Sequence, residues 1–258
     1  MDKVTSADGT SIAYDRLGTG PAVVLVCGGS VDRMSNAPLA ALLAENFAVY
    51  NYDRRGRGDS GDAAEYAVER EFEDLDAIFA AAGGSASLYG TSSGAALALL
   101  ATASGRPASR LALWEPPYIL DGGRPRPPAN TADIFRDFVA AGRRDKAAEH
   151  FMAEVVGLPP EFVEMAKASP WWPAQEAIAH TLAYDATVMG DYSLPVDALG
   201  KVSVPTRVLT GGASWQWMVD GNEAAAARLA DGSHRTLDGQ EHNVDPGAMA
   251  RALKEFFG

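Results

Sequence analysis

The segment Gly90-Thr91-Ser92-Ser93-Gly94 fits the pattern G-x-S-x-G, in which a serine sits on a sharp turn between a strand and a helix. The flanking sequence supplies that setting, because residues 86–89 read as a short strand and 94–104 as an Ala/Leu-rich helix. So tight a turn needs small residues beside the serine, and the helix amino terminus then faces charge developing next to it. A serine hydroxyl is a weak nucleophile until a base takes its proton. Four histidines could serve, His150, His180, His234 and His242. No His, Cys, Asp and Glu cluster has metal-ligand spacing, so no metal is expected. Cys27 ends an apolar run and reads as a small buried hydrophobe rather than a second nucleophile. Arg54, Arg55 and Arg57 form a charge run, expected as a solvated or internally paired turn in which Asp53 pairs with one of them; no catalytic role is assigned to it.

The elements that must hold Ser92 follow from the apolar pattern. Residues 4–5 and 12–14 flank a turn at 7–10 and read as an opening hairpin. The run 23–27 is continuously apolar, as in a strand buried on both faces. A helix near 37–45, a strand at 47–52, a helix at 69–82 with Phe72, Leu75, Ile78 and Phe79 on one side, and a strand at 111–114 continue the alternation. Strand and helix in turn predict an α/β fold with a doubly wound, mostly parallel sheet. The rhythm breaks at the Gly- and Pro-rich stretch 121–128, and residues 132–191 are helical in pattern. Strands resume at 206–210 and 234–237, and a helix closes the chain from 246 to 257. The expected division is a core of residues 1–120 and 196–258 with an inserted helical lid at 121–195.

Composition narrows the class of protein. A chain of 258 residues, 47% apolar and 22% charged, suits one globular domain with an insertion. A net charge of −12 argues against nucleic acid and against anionic lipid as partners. The single cysteine leaves no internal disulfide and suits a reducing compartment. With no apolar signal core at the start and no run near the membrane-spanning length of about 18 residues, a cytoplasmic location is expected.

Beyond the G-x-S-x-G segment, three further segments carry a resemblance to the α/β-hydrolase superfamily over nearly the whole chain. Val24-Leu25-Val26-Cys27-Gly28-Gly29 looks like its strand-to-oxyanion loop, where the family often has His-Gly. Tyr52-Asp53-Arg54-Arg55-Gly56-Arg57-Gly58-Asp59-Ser60 is similar to its D-x-R-G-x-G-x-S turn, and Gly239-Gln240-Glu241-His242 to its terminal G-x-x-H loop. The resemblance implies Ser92 as nucleophile, His242 as base, and the backbone N–H groups of Gly29 and Ser93 as the oxyanion hole. Many family members place the acid after the strand represented here by 206–210, but this chain reads Gly211-Gly212-Ala213-Ser214-Trp215 there. Asp220 lies further on, within the next helix. A second family location, the end of the strand after the elbow helix, is occupied by Glu115, followed by Pro116 and Pro117. Glu115 is therefore the favoured acid and Asp220 the alternative.

The resemblance implies a cofactor-independent hydrolase of small molecules, cleaving an ester, lactone or thioester bond through an acyl-enzyme. Trp171, Trp172 and Tyr184 in the insertion are the expected walls of an apolar or aromatic substrate pocket. The same residues on this fold also serve lyases, acyltransferases and cofactor-free peroxidases, and a relict binding protein is a further alternative. Serine in place of aspartate argues against epoxide hydrolysis and dehalogenation. The sequence leaves the natural substrate and the oligomeric state open.

Overall fold

Eight strands form one sheet in the computed structural model, which describes every residue from Met1 to Gly258. In chain order they are β1 (Asp2–Thr5), β2 (Ser11–Leu17), β3 (Ala22–Val26), β4 (Ala48–Tyr52), β5 (Ala86–Thr91), β6 (Ala108–Trp114), β7 (Thr206–Gly211) and β8 (Gly232–Leu237). Across the sheet the order is β1-β2-β4-β3-β5-β6-β7-β8. The first two strands pair antiparallel with each other, and β2 is antiparallel to β4. All other pairings are parallel. This is the α/β-hydrolase fold expected from the sequence.

The continuous apolar run of β3 has a simple cause. Val24 and Val26 point into a core of 33 residues on one face, while Val23 and Leu25 point into a core of 18 residues on the other. Side chains alternate across a strand, so a strand covered by helices on both sides must be apolar at every position. The larger core takes most of its helical share from Val68–Ala81 and Ser93–Ala103, with smaller parts from Leu182–Met189, Val196–Leu199 and Gln216–Ala226, and the smaller core takes its share from Ala37–Leu43 and Pro246–Phe257. Ser93–Ala103 carries almost no polar side and is buried nearly all round, which explains its Ala/Leu composition.

Between β6 and β7 the chain is helical, from Thr131–Ala140 to Val196–Leu199. This stretch has its own small apolar cores, one around Phe135 and Leu182, the other around Met152 and Trp172. Arg144–His150 runs into a π-helical turn, Phe151–Val156, which ends at Gly157 with φ +83°. No helix is long and apolar enough to cross a membrane.

Candidate active site

The parallel strands all point their carboxyl ends to one edge, and the candidate residues collect there, as expected for an open α/β sheet. Ser92 follows β5 and caps the helix Ser93–Ala103, with φ 54° and ψ −125°. That backbone conformation costs on the order of 1–3 kcal/mol and persists only where its surroundings enforce it. Here a Cβ at Gly90 would lie 2.4 Å from the Gly94 carbonyl oxygen, and one at Gly94 would lie 2.2 Å from that of Cys27. The helix therefore packs directly on the strands, and the turn has no slack. The Ser92 N–H donates to the Trp114 carbonyl at 2.8 Å, stitching the turn to the end of β6.

One residue beyond that carbonyl stands Glu115, fully buried and also at positive φ (44°). Its Oε2 lies 2.7 Å from Nδ1 of His242, and its Oε1 accepts the Gly211 N–H at 2.8 Å. With Nδ1–H donated to the carboxylate, Nε2 keeps its lone pair free for another proton. The His242 loop is held from behind, because the Trp114 indole N–H donates to the His242 carbonyl at 2.9 Å. The end of β7 thus contributes an amide to Glu115 and no acid of its own. Ser214 Oγ is buried without a hydrogen-bond partner, and Asp220 is exposed and accepts from Gln216 at 2.7 Å. The other histidines are engaged elsewhere: His150 against Phe135, His180 beside Asp62, and His234 with Thr210 at 2.7 Å.

Ser92 and His242 line one cavity of about 380 Å³, together with Gly28, Gly29 and Ser93. A Cβ on Gly29 would be 3.3 Å from Ser93 Oγ, so the two residues flank the same space. Cys27 is fully buried just before them, and burial raises its thiol pKa despite nearby Arg57. A buried protonated thiol is not a nucleophile. No group of three or more His, Cys, Asp or Glu side chains is arranged to hold a metal ion.

The walls differ from those expected. Trp171, Trp172 and Tyr184 do not line this cavity. Trp171 faces outward, 47% exposed, and Trp172 packs within the insertion's own core with its indole N–H on Glu176. Tyr184 stacks on Tyr66 at 4.0 Å between ring centres and donates to Asp62. The insertion contributes Arg124, Phe151, Val155, Asp185, Met189 and Tyr192 instead. A second aromatic wall comes from Trp215 and Trp217, stacked at 6.0 Å just beyond β7. Two indoles separated by one residue, where the family often carries its acid, were the available signal.

The arginine turn is internally paired, one of the two readings the sequence left, but not through Asp53. Arg54, Arg55 and Arg57 are all at most 1% exposed, and Asp53 pairs with Arg33 rather than with any of them. Arg54 grips Glu71 through two bonds of 2.6 Å and reaches Asp185 at 2.7 Å. Arg57 holds both oxygens of Asp185 at 2.9 Å and donates to the Gly28 carbonyl at 2.5 Å. Asp185 also accepts the Ser93 hydroxyl at 2.8 Å. Burial works against ionisation of Asp185 and Glu71, but the guanidinium groups overcome it and keep both carboxyls below the usual range. In a trans peptide the carbonyl and the next N–H point opposite ways. Arg57 on the Gly28 oxygen therefore fixes the direction of the Gly29 N–H. The sequence signal was Glu71 and Asp74, two acids breaking the apolar stripe of Val68–Ala81 on its buried side.

Comparison with known proteins identifies the family. The model of the alpha/beta hydrolase family matches residues 23–252. No curated protein sequence matches the chain. A crystal structure of an alpha/beta hydrolase from Sphaerobacter thermophilus DSM 20745 is 49% identical, with a TM-score of 0.94 and both chains fully covered. A thermophilic esterase from Thermogutta terrifontis is 23% identical with a TM-score of 0.76, covering 99% of this chain and 97% of that one. The enol-lactonase from Burkholderia xenovorans LB400 is 20% identical with a TM-score of 0.70, covering 98% of each chain.

Proposed function

Since the chain belongs to the alpha/beta hydrolase family, we propose that it is a serine hydrolase using Ser92, His242 and Glu115 to cleave an ester-type bond of a small molecule. The observation that carries this reading is the Glu115–His242 contact of 2.7 Å, beside a serine held at φ 54° on the wall of the same cavity. Ser92 Oγ attacks the substrate carbonyl while Nε2 of His242 takes its proton. Glu115 stabilises the imidazolium so formed and keeps the ring in the required tautomer. The N–H groups of Gly29 and Ser93 bind the tetrahedral oxyanion, helped by the amino terminus of the helix behind Ser92. The imidazolium then protonates the leaving alcohol, and water, activated by the same histidine, releases the acid from the acyl-enzyme.

The segment 121–195 serves as the lid over this edge, a reading supported by its share of the cavity wall. Leu39, Ile119, Phe151, Val155, Met189 and Trp217 make the cavity mostly apolar, which favours an ester or lactone with hydrocarbon or aromatic parts. A serine nucleophile disfavours alkyl-enzyme chemistry, and an engaged acid–histidine pair disfavours a relict site. The test is labelling by a fluorophosphonate together with release of 4-nitrophenol from a short-chain ester. Both should occur in the natural protein and vanish in Ser92→Ala. Labelling that survives Ser92→Ala, or fails in the natural protein, removes the assignment.

A further inference from the structure

Arg124 is the one Lys or Arg side chain that lines the cavity, and it forms no ion pair with any carboxylate. The deep arginines near by are all paired: Arg33 with Asp15 and Asp53, Arg54 with Glu71 and Asp185, Arg55 with Asp74 and Asp8, and Arg57 with Asp185. Arg124 is half-buried, and its guanidinium donates hydrogen bonds only to backbone carbonyls, of Val156 at 2.7 Å, Val155 at 3.0 Å and Glu154 at 3.4 Å. These bonds engage Nη1 and Nη2 and leave Nε–H without a protein acceptor. Burial lowers its pKa, with Tyr192 the only opposing influence, the mark of a cation partly stripped of water and given no full counter-charge. In a chain with 34 acidic and 22 basic side chains, shortage of carboxylates does not explain this.

The guanidinium is also preorganised. It lies 5.2 Å from the centre of the Trp217 ring, and a Cβ on Gly157 would come within 3.3 Å of both terminal nitrogens. The π-helical turn on one side and the indole on the other hold it at the wall of the cavity that Ser92 opens into. A fixed guanidinium in a largely apolar cavity gains most from an anion that brings the missing charge.

We propose that the substrate carries a carboxylate remote from the scissile carbonyl, seated on Arg124 beside Trp217. The inference rests on the Ser92 hydrolase reading and adds the substrate class to it. Arg124 then selects the substrate rather than taking part in bond cleavage, so its loss should act on the preference between substrates.

The test compares two substrates of similar length, the mono-4-nitrophenyl ester of glutaric acid and the neutral 4-nitrophenyl pentanoate. In the natural protein kcat/KM should favour the anionic ester by about tenfold or more, the size of a charge-assisted contact in a partly desolvated site. Arg124→Gln should lower that ratio by about the same factor, and Arg124→Lys should restore part of it. Equal use of both esters by the natural protein, or an unchanged ratio in Arg124→Gln, overturns the proposal even while Ser92-dependent turnover of the neutral ester stands. A second measurement needs no turnover: calorimetric binding of monomethyl glutarate to Ser92→Ala, and to the same protein carrying Arg124→Gln. Binding that is weakened by about tenfold in the second supports the role, and equal binding, or none to either, refutes it. Absence of turnover of both esters and of fluorophosphonate labelling would instead overturn the hydrolase reading.

Discussion

Two buried ionic groupings meet at the carboxyl edge of the sheet, and they are built on opposite plans. Glu115 is a single carboxylate whose partners are an amide and the ring of His242, a side chain still 35% exposed. Arg54, Arg57, Glu71 and Asp185 form a closed set of two cations and two anions, each with at most about 5% of its side chain exposed. In the first, the charge balance is completed only when His242 takes a proton, so the pair is suited to a reaction that moves one. In the second, the charges are already balanced and every carboxylate is pinned by a guanidinium, which suits it to fixing geometry. Burial alone does not separate a reacting carboxylate from a structural one; the number of counter-charges does.

Substitutions should pull the two groupings apart. The largest effect is expected from Ser92→Ala, on the order of 10⁶-fold in kcat for a 4-nitrophenyl ester with the melting temperature nearly retained. Unchanged turnover would end the assignment of the whole edge. Glu115→Gln should lower kcat by up to roughly 10⁴-fold, by analogy with the loss of the acid in other serine triads. If activity survives that change while Asp220→Asn abolishes it, the roles given to these acids are exchanged.

Asp185→Asn should behave differently. It leaves Arg54 and Arg57 short of a counter-charge, a loss of about 3–5 kcal/mol in stability for a broken buried pair. It also loosens the hold on Gly28 and Ser93, so kcat should fall by about 10–100-fold with little change in KM. Denaturant unfolding and steady-state kinetics read the two parts separately, and an unaltered midpoint would contradict the closed-set description. Acid sharpens the contrast. The folded pKa values of Asp185 and Glu71 lie below their ordinary values, so these groups stabilise the fold above the normal carboxylate range. That contribution is lost as pH falls through the folded values. The stability of the natural protein should therefore drop more steeply below about pH 4 than that of Asp185→Asn; parallel curves would refute the linkage. Ser214→Ala should change kcat by no more than a few-fold, since its hydroxyl bonds to nothing in the site. A larger loss would mean that Ser214 and Glu115 share the orienting role.

What the sequence revealed, and what it concealed, follows the range of the interactions. The strands of the sheet announce themselves because burial on both faces imposes an apolar residue at each position, as in Val23–Val26. The turn around Ser92 is equally legible because the G-x-S-x-G spacing is local, although only Gly90 answers to a contact within a few residues and Gly94 answers to the distant Cys27 carbonyl. Glu115 stands out through its two following prolines, which end the strand. The arginine turn stayed open between solvated and paired, because three charges in four residues fit either and Asp185, which Arg54 and Arg57 share, lies 128 to 131 residues away. No local pattern ties an aspartate in the helix Leu182–Met189 to the loop after β4. Trp171 and Trp172 misled for a related reason: an indole in a helical insertion is as readily used to pack that insertion as to line a cavity, and only the tertiary arrangement decides.

Asp185 also limits how freely the parts of this molecule can be exchanged. Insertions between β6 and β7 look like modular parts, to be grafted from one relative to another to alter specificity. In this chain the graft junction is electrical as well as steric, because the insertion returns a negative charge to two arginines of the loop after β4. A transplanted insertion with leucine at that helix position would match in shape and still leave Arg57 without a carboxylate and Arg54 with Glu71 alone. Chimaeras built on this core should therefore carry an aspartate at position 185, whatever else of the insertion is replaced.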